Sequence, residues 1–255
     1  MWFMSKVIQS IIQSIYIHNM NWKVIATVLA IVIGAVGCKK EHTDSADLQL
    51  KLTYRIDNKQ LEFDTMQYMC DAGYDYEITR LNYYLSGFVF SMQDGSSYSS
   101  NRVFYIDARQ VSMNTLSFEQ FPSGTCTQIN FYVGLDSLKN QTDSLPMTFD
   151  NINMGWPDIM GGGYHFMKLE GHYRNLSINY GFAMHLGKNK NLVPITVSNP
   201  VIVHDGNAAE ATISMNINEW LCNPLIYDFK TDGSYSMNND TAMHKLCING
   251  TDIFD

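Results

Sequence analysis

The chain lacks Gly-x-Ser-x-Gly, His-Glu-x-x-His and any glycine-rich loop closed by Lys-Ser or Lys-Thr. Without them a nucleophile elbow, a zincin helix and a phosphate cradle have no residues to be built from, so the chain reads as a binding protein rather than an enzyme. Acidic stretches such as "DGSYSMNND" do not follow EF-hand spacing and read as solvated loop. No two cysteines stand in Cys-x-x-Cys spacing, so the usual thiolate zinc site is unsupported. Basic charge is scarce: the 17 Lys and Arg fall to 15 once the two lysines of residues 1–37 are set aside, against 25 Asp and Glu, a net charge of about −10. With no basic stripe, nucleic acid is not an expected partner, and attraction to an anionic bilayer needs a lipid anchor.

An anchor is in fact expected. "VIATVLAIVIGAV", residues 24–36, is an uncharged run of 13 residues behind Lys23. It is too short to span a bilayer and has the form of a secretory signal. It ends in "AVGC", with Gly37 directly before Cys38, the arrangement by which a bacterial lipoprotein signal presents the cysteine to be acylated. Residues 1–37 are therefore read as a lipoprotein signal peptide, with Met20 as the true start. Residues 38–47 are read as a polar tether and residues 48–255 as one domain. The expected location is the cell envelope, lipid-anchored through Cys38 at the outer membrane, on a face the sequence does not specify. Cys70, Cys126, Cys222 and Cys247 remain, an even number in an oxidising compartment, where two disulfides are the default. Of three pairings, Cys222 with Cys247 is favoured because it closes the polar excursion 223–246, which leaves Cys70 with Cys126.

Leu48, Leu50, Leu52, Tyr54 and Ile56 alternate with polar residues, as in a half-buried strand. Similar short runs recur to the C-terminus between Gly, Asn, Asp and Pro clusters, and only "LEFDTMQYMCDAG" hints at helix. The fold class is all-β, a single β-sandwich domain.

One segment carries more than packing requires. "NMGWPDIMGGGYHFMKLEGHY", residues 153–173, combines methionines, a tryptophan, histidines and three consecutive glycines, which permit a tight loop. If "YHFMKLEG" and "NYGFAMHLG" form an antiparallel hairpin, a register opposing Glu170 to Tyr180 also opposes His165 to His185. Opposed residues have Cβ atoms about 4.5–5.5 Å apart, within reach of one metal for two imidazoles. Gly181 and Ala183 leave the His185 face open, while Phe182, Met184 and Leu186 form the apolar face, so both histidines are expected to look away from the core. A lone strand histidine is more often hydrogen-bonded core or edge; two opposed ones beside this loop point to a metal. Glu170, His172, Met154 and Met160 are supporting candidates. Glu170 would orient a histidine or pair with Lys168 or Arg174, and the thioethers suit Cu(I) but also fill core gaps. His172, His204 and His244 are otherwise read as solvated.

"YEITRLNYYLSGFVF", "FYVGLDSLKNQ", "MGWPDIMGGGYHFMKLEG", "FAMHLG" and "NGTDIF", in this order, resemble the MbnP-like family, named after the exported copper-binding protein of methanobactin operons. The resemblance covers residues 47–255 and is to the Bacteroidetes-type lipoprotein version. It implies copper held by histidines together with a tryptophan oxidised to kynurenine by a partner dihaem peroxidase. Trp156 stands at that tryptophan position; Asp158 replaces the second aromatic of methanotroph members, and the loop is longer. The expected protein is an exported, lipid-anchored copper-binding or copper-handling protein, with a dihaem peroxidase and a TonB-type receptor as partners. The other reading is an accessory lipoprotein of an outer-membrane uptake system that binds a ligand or protein through exposed aromatics, without metal.

Overall fold

The computed structural model describes residues 45–255; the expected signal segment, Met20 and Cys38 lie outside the described residues. In chain order the strands are β1 (Ser45–Ile56), β2 (Lys59–Gln60), β3 (Tyr68–Met69), β4 (Asp75–Met92), β5 (Ser97–Ser100), β6 (Phe104–Asp107), β7 (Thr115–Pro122), β8 (Gly124–Val133), β9 (His165–Asn175), β10 (Ile178–Gly187), β11 (Val193–Val197), β12 (Val201–Val203) and β13 (Ala209–Asn216). The alternation of β1 becomes one buried face, as the pattern requires. The strand opens at Ser45, so the end of the expected tether already pairs with β7, Ser45 opposite Pro122 and Ala46 opposite Phe121.

β1 centres a four-stranded sheet, parallel to β13 and antiparallel to β2 and β7. A nine-stranded sheet runs β10-β9-β4-β8-β11, with β12 on β8 and β3, β5 and β6 on β4. The sheets meet through aromatic rings: Phe88 lies 5.1 Å from Phe118 and Phe90 lies 5.0 Å from Phe121, centroid to centroid. Edge-to-face contacts of this kind add to the area burial that drives the sandwich together. Across the same interface the Tyr54 and Tyr83 hydroxyls are 2.9 Å apart, so neither is buried unpaired.

β4 is the spine that positions everything else. Its first half pairs with β9, ending at Tyr83 opposite Met167, and its second half pairs with β8, starting at Leu85 opposite Val133. The excursion 134–164 therefore leaves β8 and returns to β9 at one point along β4, where Gly134 N–H donates to the Tyr84 carbonyl at 2.9 Å.

The helices are short: α1 (Phe149–Asn153), α2 (Glu219–Cys222) and α3 (Asp240–Asn249). "LEFDTMQYMCDAG" is not helical. Its Tyr68 pairs with Tyr76 of β4, and the Tyr68 hydroxyl accepts from Glu62 N–H at 2.6 Å, which spends the segment's polar groups on turns and a strand. The polar excursion 223–246, conversely, contains most of α3, capped by Asn239 accepting from Ala242 N–H and burying Ala242, Met243 and Leu246. It is held by packing and needs no covalent closure.

All four described cysteines are free thiols, so neither expected disulfide is formed. Cys70 donates its N–H to Tyr74 just before β4 begins, and Cys126 lies opposite Met92 at its other end. At about 3.3 Å per strand residue the length of β4 separates them, far beyond the ~7 Å between Cα atoms that a disulfide tolerates. Cys222 Sγ is directed at Glu219 Oε2, 4.0 Å away, and Cys247 Sγ at the Leu192 carbonyl, 3.9 Å away, rather than at each other.

Gly171, in the centre of β9, has no room for a side chain. A Cβ there would lie 1.9 Å from the Glu77 carbonyl oxygen of β4 and 2.8 Å from the Phe182 ring of β10. Gly171→Ala is expected to destabilise the domain by roughly 3 kcal/mol in urea unfolding, because backbone on one side and a packed ring on the other must move. An unchanged midpoint would contradict the close approach of these three strands.

Candidate functional site

The excursion folds back on itself before β9 begins. Thr148 caps α1, accepting from Asn151 N–H at 3.2 Å, and α1 delivers Met154 to the end of the turn. Gly161, Gly162 and Gly163 follow with φ of 110°, 66° and 83°. Three successive left-handed residues are affordable only for glycine. The second reason is space: a Cβ on Gly162 would lie 2.5 Å from Thr142 Oγ1, and one on Gly163 2.5 Å from Asn140 Oδ1. Those two side chains hold the loop, Thr142 accepting from Gly163 N–H at 3.1 Å and Asn140 from Tyr164 N–H at 2.8 Å. Trp156 N–H donates to the Gly163 carbonyl at 2.8 Å, which sets the indole over the start of β9.

The hairpin register differs from the expected one. His185 lies opposite Lys168, Ala183 opposite Glu170 and Tyr180 opposite Tyr173, until a bulge between Leu186 and Gly187 places Gly187 opposite His165. With unbroken alternation His165 would share the face of Met167 and Leu169, away from His185. The extra residue, Phe166, reverses the alternation and brings His165 to the His185 side. The two imidazoles consequently meet after all, with centroids 5.0 Å apart and planes at 89°.

His165 is buried, at 4% exposure, contrary to the expectation that both histidines look outward; His185 is only partly exposed. Trp156 supplies the cover, its ring 4.7 Å from that of His165. The indole itself rests on Gly187, where a Cβ would come within 2.6 Å of it. Met154 contributes its backbone: the carbonyl accepts from His165 N–H at 2.7 Å and stands 3.0 Å from Nδ1, so Nδ1 carries the proton. Nε2 then bears the lone pair, and it is buried without a partner, as is Nε1 of Trp156. An unpaired buried acceptor is costly, and such exceptions call for an explanation.

His185 is held from the other side. Its Nε2 is 2.9 Å from Glu170 Oε1, and Arg80 donates from Nη1 to both Glu170 oxygens at 3.1 Å. Glu170 thus contacts His185, with Arg80 of β4, not Lys168 or Arg174, as its second partner. Ala183 opposite Glu170 is small enough to let the carboxylate reach along the strand. The His185 hydrogen bond, with the Arg80 charge, holds the Glu170 carboxyl below its usual range despite burial. Burial lowers the Lys168 ammonium. His165 is pushed down from 6.5 to about 3, first by burial, then by the Lys168 ammonium and the neighbouring His185.

The remaining candidates do not converge here. His172 pairs with Glu77 at 2.8 Å further along β9, Met154 is buried in the core, and Met160 packs at its edge. His204 and His244 are exposed and lie elsewhere. Among the described residues no group of three or more His, Cys, Asp or Glu is placed to hold a metal. On the far side of Trp156 a pocket of about 510 Å³ is lined by Leu145, Pro146, Met147, Ile152 and Tyr164 among others.

A family model, MbnP, matches residues 45–243, so the chain belongs to the MbnP family, a copper-related family associated with methanobactin operons. Among solved structures it is similar to MbnP from Methylosinus trichosporium, with 12% identity over 72% of this chain and 80% of that one and a TM-score of 0.49. No curated protein sequence matches it.

The buried imidazole makes acid stability a test of the site. His165 is depressed to about 3 in the folded chain, so between pH 6.5 and 3 the unfolded state binds a proton that the folded state does not. Its contribution is neutral well above pH 6.5 and increasingly destabilising as the pH falls, roughly 3 kcal/mol by pH 4. In metal-free protein, His165→Asn, which keeps a donor for the Met154 carbonyl, should lose less stability between pH 7 and pH 4 than the parent in urea titrations. Equal losses would mean that His165 is protonated in the folded chain.

Proposed function

We propose that this member of the MbnP family binds a single copper(I) ion between Nε2 of His165 and Nδ1 of His185, beneath Trp156, in the cell envelope. The observation that carries the reading is the buried lone pair of His165, left without a proton donor 5.0 Å from a second imidazole. A metal ion satisfies it. Nδ1 is assigned on His185 because Glu170 engages Nε2, a carboxylate–histidine arrangement that fixes the tautomer and raises the basicity of the other nitrogen. Depression of the His165 pKa keeps that imidazole neutral at neutral pH, so no proton competes with the metal.

The donor set also argues for the oxidation state. Two imidazoles with no thiolate and no free carboxylate beside them are too few for Zn(II), which takes four ligands, whereas Cu(I) accepts low coordination. Trp156 as an indole has no lone pair to offer and serves as an apolar lid that keeps water and oxidants away. The family resemblance makes it the residue that an oxidising partner would convert to kynurenine. Lipid anchoring through Cys38 completes the reading: an exported copper carrier retained at a membrane.

Competition against a chromogenic Cu(I) chelator tests the assignment. His165→Asn and His185→Asn should each weaken Cu(I) binding by more than about 100-fold, and Glu170→Gln by about 10–100-fold, the usual cost of losing a supporting hydrogen bond to a ligand. Unchanged affinity in both histidine variants would overturn the copper reading and move attention to the pocket beyond Trp156. Intact mass of protein from its native host reports separately on oxidation of Trp156.

A further inference from the structure

The register excludes the pairing of Cys70 with Cys126, yet it brings a different pair of thiols to one place. Cys70 continues the β3 ladder: Tyr68 lies opposite Tyr76, and Cys70 N–H donates to the Tyr74 carbonyl at 3.0 Å, so Cys70 sits across from Tyr74 on the buried face it shares with Tyr68. The segment running through α2 covers that same ground. Asn218, at the start of α2, accepts from the Tyr76 hydroxyl at 3.0 Å, and Phe229, beyond its end, packs 6.1 Å from the Tyr74 ring while Asp228 accepts from the Tyr74 hydroxyl at 3.0 Å. Along the chain Cys222 lies between these two anchors, and Cys70 lies opposite Tyr74, one of the two tyrosines they hold.

We infer that Cys70 and Cys222 are the pair that oxidises to a disulfide, joining the β3–β4 hairpin to α2, while Cys126 and Cys247 remain thiols. Cys222 is the half-exposed member and Cys70 the buried one. The placement rests on the contacts of residues 218–229 with Tyr74 and Tyr76; in keeping with it, burial first, then Glu219, Asp71, Asp57 and Cys70, raise the Cys222 thiol. Burial alone raises the Cys247 thiol, and its Sγ is directed at the Leu192 carbonyl. Closing the bond turns Cys222 Sγ away from Glu219 and toward β3.

The chemistry requires an oxidant, here a disulfide-bearing thiol oxidoreductase or a small-molecule disulfide. The Cys222 thiolate, having lost its proton, attacks the oxidant disulfide and releases one thiolate. The Cys70 thiolate then attacks the Cys222 sulfur and releases the second. Two S–H bonds are lost, one S–S bond is formed, and the two electrons reduce the oxidant to its dithiol. The raised thiol pKa values slow the first step in the folded chain, so the bond should form as β3 and α2 dock during folding. Its benefit is local: β3 is held to β4 by a ladder of only two residue pairs.

The test is peptide mapping of the full chain, exported to an oxidising compartment and unfolded directly into denaturant containing excess alkylating agent, so that buried free thiols are blocked before they can exchange. A second sample is refolded in a mixture of oxidised and reduced glutathione. A linked peptide pair containing Cys70 and Cys222, with Cys126 and Cys247 alkylated, is expected in both samples. Cys222→Ser should leave Cys70 alkylatable and lower the melting temperature, whereas Cys247→Ser should leave the linkage intact. Alkylation of both Cys70 and Cys222 in both samples, or linkage of either to Cys126 or Cys247, would overturn the assignment. None of these outcomes depends on copper.

Discussion

The carbonyl of Met154 fixes the site. By accepting from both the backbone N–H and the ring nitrogen of His165, it decides which tautomer the imidazole adopts and which nitrogen is left over. That carbonyl is available only because α1 ends at Met154 and the glycine run returns the chain at once. The return in turn needs Thr142 and Asn140 against backbone positions that tolerate no Cβ. A loop of this length would ordinarily be mobile surface; here it is tied at both ends to one point on β4 and carries its own hydrogen bonds.

From that constraint the electrostatics follow. An imidazole held in the Nδ1–H form, buried under an indole, must remain neutral, and the charges around it reinforce the choice: Lys168 and His185 oppose a proton on His165, while Glu170 and Arg80 organise His185. The two histidines are thus unlike each other, one buried and clamped by backbone, the other near the surface and held by a carboxylate. An ion entering from the His185 side would reach the partnerless nitrogen of His165 last.

Much of this could be read in the sequence, and the failures have a common cause. The alternation in β1 and the need for positive φ at Gly161–Gly163 are local properties, and they hold. His165 and His185 do meet, but through a register in which His185 faces Lys168 and a bulge at Phe166 restores the encounter; periodicity of two cannot reveal an inserted residue. Arg80 was invisible for the same reason, since another irregularity, between Ile78 and Arg80, sets it opposite Glu170. Burial of His165 depends on Trp156 folding back from a distant loop, and the separation of Cys70 from Cys126 depends on their sitting at opposite ends of one long strand. Both are tertiary facts with no local signature.

The central claim is that His165 presents a deprotonated, partnerless Nε2 to a metal, and imidazole nitrogen NMR measures this directly. In long-range proton–nitrogen spectra of ¹⁵N-labelled, metal-free protein at pH 7, His165 should show a protonated Nδ1 and an unprotonated Nε2, and His185 the reverse. One equivalent of Cu(I) should then shift Nε2 of His165 and Nδ1 of His185 while the protonated nitrogens stay protonated. A His165 ring with its proton on Nε2, or doubly protonated, would contradict the account, because no ligand atom would then face His185.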